Sequence, residues 1–354
     1  RTYLYRYRHN SLEPVMLEQA KAAAEQAVRL DEYLADARLS RGLVYLRLGE
    51  RAAAAAELEE ALALDPALAD AHRGLGELHE SKRDFAAAET AFRAAITLDP
   101  NHRLFHDRLG ALMFKTGRYE AAEAAFKDSI ASAPDSIYGH RGLASTYYLQ
   151  GRLDEAAVEL QKALRIKPSA TLYSSLGTIF FSQGLYEKAA DAYTKALSSS
   201  ANNSIYWSNL ADAYRQIPDR EAETREALLR AEQLLTERIA LQPEDATLWS
   251  RRALVLAKLG ERERALSELA RVDRAGTVDT YTRYRVAVGY ELCGERGSAL
   301  EQLETALEAG FSLPEIRRDP ELIELRADPR FHRLVVKLDS ASPRTDRPAS
   351  QDRQ

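Results

Sequence analysis

The sequence predicts an all-α fold, a solenoid of stacked helical hairpins with no sheet. Three observations carry this. Pro66, Pro100, Pro134 and Pro168 recur every 34 residues. When each proline is counted as repeat position 32, position 8 is always Gly or Ala: Gly42, Gly76, Gly110, Ala144, Gly177, Ala211, Ala253 and Ala287. Position 15 carries glycine in six units, at Gly49, Gly117, Gly151, Gly184, Gly260 and Gly294. A fixed period of this length is the mark of repeat architecture.

Each element follows from local chemistry. Position 20 is alanine at Ala54, Ala88, Ala122, Ala156, Ala189, Ala265 and Ala299, the seven units without an insertion. Position 24 is bulky: Leu58, Phe92, Phe126, Leu160, Tyr193, Leu269 and Leu303. Spacings of three, four and seven place these residues on one helical face. Small residues at positions 8 and 20 let paired helices approach, where larger ones would overpack. Glycine at position 15 suits the left-handed residue that ends a first helix. The proline stops the second helix, and its missing N–H also suits the first turn of the next one.

With the aromatic at position 11 (Tyr45, Tyr147, Phe180, Tyr214, Tyr290), this pattern resembles the tetratricopeptide repeat over residues 35–310. The resemblance implies a right-handed α–α superhelix of about eight hairpins, with units starting near 35, 69, 103, 137, 170, 204, 246 and 280. Residues 1–34 keep Ala20 and Ala27 in phase but lack the small residue at position 8, and read as a degenerate N-terminal unit. The sixth unit has Pro218 where the glycine belongs, and its closing proline, Pro243, comes eight residues late. Eight residues are about two helical turns, so its second helix, from about Glu221 to Leu241, is expected to be elongated. Residues 311–339, with Asp-Pro at Asp319-Pro320 and Asp328-Pro329, read as a cap of short helices. This segment is similar to the closing stretch of repeat arrays in bacterial multidomain regulators, including serine/threonine kinases. The polar tail 340–354 is expected to be disordered.

Composition narrows the function classes. Apolar residues make up 45% and charged residues 29%, with 49 basic against 54 acidic and a net charge of −5. That balance argues against nucleic acid, which demands a basic face. No apolar stretch approaches the ~20 residues that span a bilayer, and the first residues show no signal-peptide pattern. A lone cysteine, Cys293, forms no internal disulfide and fits a reducing compartment, so a cytoplasmic location is expected. The first residue is Arg rather than Met, and the chain is expected to be part of something longer.

The resemblance implies that the first helices line a concave groove and contact partners through positions 2, 5, 9, 12 and 13. Position 12 presents Phe114, Tyr148 and Phe181 in three consecutive units, and Arg215 in the sixth. Position 2 adds Tyr138, and position 5 adds Asp107 and Arg141. Rings beside a guanidinium and a carboxylate would hold an extended or helical peptide. Position 9 has no asparagine and position 5 no lysine, so the carboxylate clamp of one subclass is absent. The expected function is a scaffold for a protein or peptide partner. The competing reading is the regulatory region of a larger bacterial signalling protein, with its catalytic domain upstream.

No catalytic, metal or cofactor constellation emerges. His72, His106 and His140 share position 4, but equivalent places in packed helices lie on the order of 10 Å apart. A zinc ligand must come within about 2 Å of its ion, so these histidines read as structural. Gly74-Leu75-Gly76 lacks a third glycine and a preceding strand, and Cys293 lacks a partner base.

Overall fold

A computed structural model of the protein describes residues 14–276 and 278–341. Residues Arg1 to Ser11 of the degenerate first unit, and the tail beyond 341, lie outside the described residues. Among the described residues every regular element is a helix. The chain divides after Pro168 into two compact units.

In the first unit, α1 (Pro14–Leu30) precedes four hairpins. These are α2 (Ala35–Leu48) with α3 (Arg51–Leu64), α4 (Ala69–Ser81) with α5 (Phe85–Leu98), α6 (Arg103–Lys115) with α7 (Tyr119–Ser132), and α8 (Ile137–Leu149) with α9 (Leu153–Ile166). The second unit holds four more: α10 (Ala170–Ser182) with α11 (Tyr186–Ser199), α12 (Ser204–Arg215) with α13 (Glu221–Leu241), α14 (Ala246–Lys258) with α15 (Arg262–Arg274), and α16 (Thr280–Leu292) with α17 (Arg296–Glu308). Short helices α18 (Leu313–Arg318), α19 (Ile323–Ala327) and α20 (Pro329–Ala341) follow, with a 3₁₀ turn at Pro320–Leu322. First helices of neighbouring hairpins, such as α2 with α4 and α14 with α16, approach each other more closely than second helices do. Each unit therefore gathers its first helices into an inner layer.

Small residues set this geometry. All seven position-20 alanines are completely buried. In the four hairpins with glycine at position 8, the bulky position-24 side chain rests on that glycine. A Cβ at Gly76 would stand 2.5 Å from the Phe92 ring, and one at Gly177 2.6 Å from Tyr193. Phe126 goes further: it lies between Gly110 of its own hairpin and Gly142 of the next, whose Cβ would come within 2.8 and 2.4 Å of it. Glycine here opens space for a ring, and the ring locks hairpin to hairpin.

Turns repeat as well. Gly49 has φ of 79°, and the next amide, of Glu50, donates back to Tyr45 O at 2.9 Å, closing the helix end by a six-to-one bond. Arg83 takes the same place in the second hairpin with φ of 62°, a conformation that L side chains adopt at a cost of about 1–2 kcal/mol. Arg83→Gly removes that strain and returns about 0.5–1 kcal/mol as backbone entropy. The variant should therefore unfold at higher temperature, by about 0.5–1 kcal/mol of stability. An unchanged or lowered melting point would refute the strain argument.

The prolines differ from the expectation in one respect. Pro66 does not open the next helix; it occupies the second position of a turn in which Leu68 N donates to Asp65 O at 3.3 Å. Pro100, Pro134 and Pro243 sit likewise, with closing bonds of 3.3, 2.9 and 3.2 Å. A fixed φ near −65° is what this turn position requires. The next helix starts three residues after each of these prolines.

The sixth hairpin's second helix, α13, has 21 residues where other second helices have 13 or 14. Its buried stripe runs from Ala227 to Ile239, while Leu241 is exposed. At the C-terminal end, Phe311, Ile316, Leu322, Leu325, Phe331 and Leu334 are buried in one cluster with Leu303 and Ala306 of α17. Phe311 stacks on Tyr284 at 4.4 Å between centroids. This segment covers the apolar face that a ninth hairpin would otherwise bury.

Candidate functional site

The inner first helices of the first unit carry two kinds of surface. The first is ionic. Glu77 of α4 accepts from Arg73 Nη1 at 2.6 Å, and lies 3.0 Å from Arg108 Nε of α6 and 3.7 Å from Arg47 Nη2 of α2. Asp70 completes the group by accepting from Arg73 Nε at 2.9 Å. Burial alone would push the Glu77 carboxyl up, but the three guanidiniums outweigh it and hold it below the ordinary carboxylate value. One carboxylate at position 9 thus binds arginines from three successive hairpins together.

The second surface is aromatic. Tyr138 and Arg141, both exposed on α8, form a cation–π pair with the guanidinium 5.2 Å from the ring centre. Phe114 of α6 is half-buried and meets Tyr119, which opens the second helix of its own hairpin, edge-on at 5.9 Å. Tyr148 of α8 is half-buried at the equivalent position. Asp107 is different: it is 2% exposed, accepts from Ser129 Oγ at 2.6 Å and from Arg103 Nη1 at 3.1 Å. Its carboxylate is engaged in joining α6 to α7, and it is not turned to solvent with the rings.

Phe181 and Arg215 belong to the second unit. Phe181 repeats the Phe114 arrangement, packing edge-on against Tyr186 at 5.3 Å. Arg215 pairs with Glu321 of the 3₁₀ turn at 2.5 Å, and Glu321 also lies 3.9 Å from Lys258. Burial pushes the Glu321 carboxyl up, although Lys258 and Arg215 pull against it. The C-terminal segment thereby places an acid beside the ends of two first helices. A cavity of about 160 Å³ opens between α12, α14 and α16, lined by Asn209, Asp212, Arg251, Leu254, Lys258 and Arg285 among others.

The repeated histidines have a structural explanation. His72, His106 and His140 Nε2 lie 3.2, 2.7 and 3.1 Å from the carbonyls of Pro66, Pro100 and Pro134, each six residues back. Trp207 and Trp249 stand at the same repeat position and donate to the carbonyls of Ala201 and Pro243 at 2.7 and 2.8 Å. An indole N–H only donates, so position 4 serves to tie a first helix to the turn before it. Among the described residues no cluster of three His, Cys, Asp or Glu side chains could hold a metal ion. Cys293 is buried, and burial pushes its thiol up, away from the reactive thiolate. No described helix is long and apolar enough to cross a membrane.

Position 6, which is not among the predicted contact positions, contributes Arg108, Arg251 and Arg285 to the inner face. A signal was available: position 6 lies three residues before position 9, so the two share one face of the first helix.

Helical hairpins that recur in phase, each first helix packed on its second, define a helical-repeat solenoid. The chain belongs to the tetratricopeptide repeat family, whose model matches residues 39–103, 109–171 and 174–233, more than half of its length. A tetratricopeptide repeat protein of Parabacteroides merdae is 17% identical, with a TM-score of 0.53 over 73% of this chain and 99% of that one. The Cut9–Hcn1 complex of the APC/C aligns at 19% identity and a TM-score of 0.54, over 68% of this chain and 46% of that one. Pseudomonas aeruginosa pilF gives 19% and 0.50 over 62% and 94%. These likenesses are of fold. No curated protein matches the sequence. Scaffolding of protein–protein contacts, generally without catalysis, is what the family's fold is typical of.

Proposed function

We propose that the chain scaffolds a peptide or protein partner through the inner first helices, with the aromatic positions Phe114, Tyr148 and Phe181 and the Tyr138–Arg141 pair as the contact residues. The observation that carries this is the exposed ring and guanidinium of α8, stacked at 5.2 Å on the inner layer. A stacked Tyr–Arg pair offers flat apolar area at low entropic cost together with a fork of donors for a peptide carbonyl or carboxylate. Asp107 and Arg215 are committed to Ser129 and Glu321, so they support the helices that present the contacts.

The test begins with peptides selected on the intact chain from a random display library. Against Phe114→Ala/Tyr148→Ala/Phe181→Ala, and separately Tyr138→Ala/Arg141→Ala, a selected peptide should bind at least about fivefold more weakly, the loss of more than ~1 kcal/mol that marks a contact residue. Circular dichroism should show helicity intact. Equal affinity for both variants and the parent would remove the groove assignment.

A further inference from the structure

In the first unit every arginine of the inner ionic group has a carboxylate. Arg108, at position 6 of its hairpin, faces Glu77, at position 9 of the hairpin before. The second unit repeats the guanidiniums without the acids. Arg251 and Arg285 occupy position 6 in the last two hairpins. For Arg285 the preceding position 9 is Leu254, which carries no charge. For Arg251 it is Asp212, whose carboxylate is taken by the deeply buried Lys258.

Both arginines line the same cavity of about 160 Å³. Arg251 makes no hydrogen bond or ion pair among the described residues, and Arg285 donates Nη1 to Ser250 Oγ at 2.6 Å. Five N–H donors per guanidinium leave most of this capacity unused. The acids whose charge acts on both arginines, Asp245 and Asp279, are occupied as helix caps, accepting from Thr247 and Leu248 N and from Thr282 N and Oγ1. They relieve the positive charge only in part. Burial, then repulsion from Arg251, lowers Arg285 to about 10. Burial, then repulsion from Arg238, lowers Arg251.

We infer that this cavity is a binding site for a dianionic oxyanion, namely a phosphoryl group. The charges lining it are Arg251, Lys258 and Arg285 against Asp212, an excess of two positive charges. A phosphate monoester carries close to two negative charges at neutral pH and three strong acceptor oxygens, which guanidinium forks match in pairs. A carboxylate would leave half the charge uncompensated. Asn209 and Ser208, also in the lining, add side-chain donors. The phosphoryl group can arrive on a phosphorylated partner or as a free phosphate. The site shares no residue with the aromatic face proposed above, so either assignment can fail alone.

Calorimetric titration of the full chain distinguishes these sources. The probes are sodium phosphate, an alanine-flanked phosphoserine peptide and its unphosphorylated twin, all at equal ionic strength. Saturable one-to-one binding of phosphate or phosphopeptide, absent for the twin, is expected. A tighter phosphopeptide makes a modified partner the source; phosphate binding alone makes it a free anion. Arg251→Gln should weaken the bound probe about tenfold to a hundredfold, as removal of a charge-assisted contact does, while Arg93→Gln on the first unit leaves it unchanged. Because Arg251 has no hydrogen-bond or ion-pair partner among the described residues, Arg251→Gln should keep or raise the melting temperature, so its effect is not one of misfolding. Should Arg285→Gln unfold, Arg251→Gln decides the matter. No saturable binding of either probe, or affinity unmoved by Arg251→Gln in a folded chain, overturns the site.

Discussion

Phe126→Ala should destabilise the first unit by about 3–5 kcal/mol, the largest single effect expected in the chain. The ring is 2% exposed and fills the space left by two missing side chains, Gly110 within its hairpin and Gly142 in the next. No neighbour can collapse into the void, because both walls are backbone. Truncation therefore loses the transfer energy and leaves the cavity open. The reciprocal change, Gly142→Ala, drives a Cβ to 2.4 Å from the same ring and should cost about 1–3 kcal/mol. In an array whose hairpins touch mainly their neighbours, the damage should be local. Hydrogen exchange should accelerate in α6 to α9 while the helices of the second unit keep their protection. Uniform acceleration along the chain, or none, would show that the ring is not the joint between these hairpins.

The period and its small-residue positions were legible because they are fixed by backbone approach. A bulky side chain at position 24 demands glycine or alanine at position 8, and small residues recur there in phase from Gly42 to Ala287. Function was less legible, because an exposed residue and a helix-joining residue can occupy equivalent positions. Asp107 and Arg141 share position 5, yet Asp107 turns to Ser129 and Arg141 lies exposed over Tyr138. What separates them is the serine at Ser129, 22 residues away in sequence, where the hairpin brings it back to α6. Pairing of this kind also hid the position-6 arginines. Arg108 and Arg285 look alike in sequence, and only the residue at position 9 of the preceding hairpin, Glu77 or Leu254, distinguishes a neutralised charge from an uncompensated one.

Glu77→Gln should lower stability by about 3 kcal/mol at neutral pH, since removing one member of a buried ion group strands the others. Arg73, whose side chain is 7% exposed, would keep Asp70, but Arg108 and Arg47 would lose their counter-charge. The effect must fade with acid. Because the folded state holds the Glu77 carboxyl below its ordinary value, its contribution is complete above the unfolded-state value near 4.3 and disappears as pH falls through the lower folded value. Below that point the parent carries a neutral acid, close in shape and charge to the glutamine. Denaturant melts of parent and variant should therefore differ at pH 7 and converge in acid. A gap that does not narrow as the pH is lowered would mean that Glu77 acts through packing. A gap absent at pH 7 would mean that the three arginines find enough solvent to do without it. Either result would also weaken the contrast between the two units, because the reading of Arg251 and Arg285 as unsatisfied depends on position 9 being where such charge is normally met.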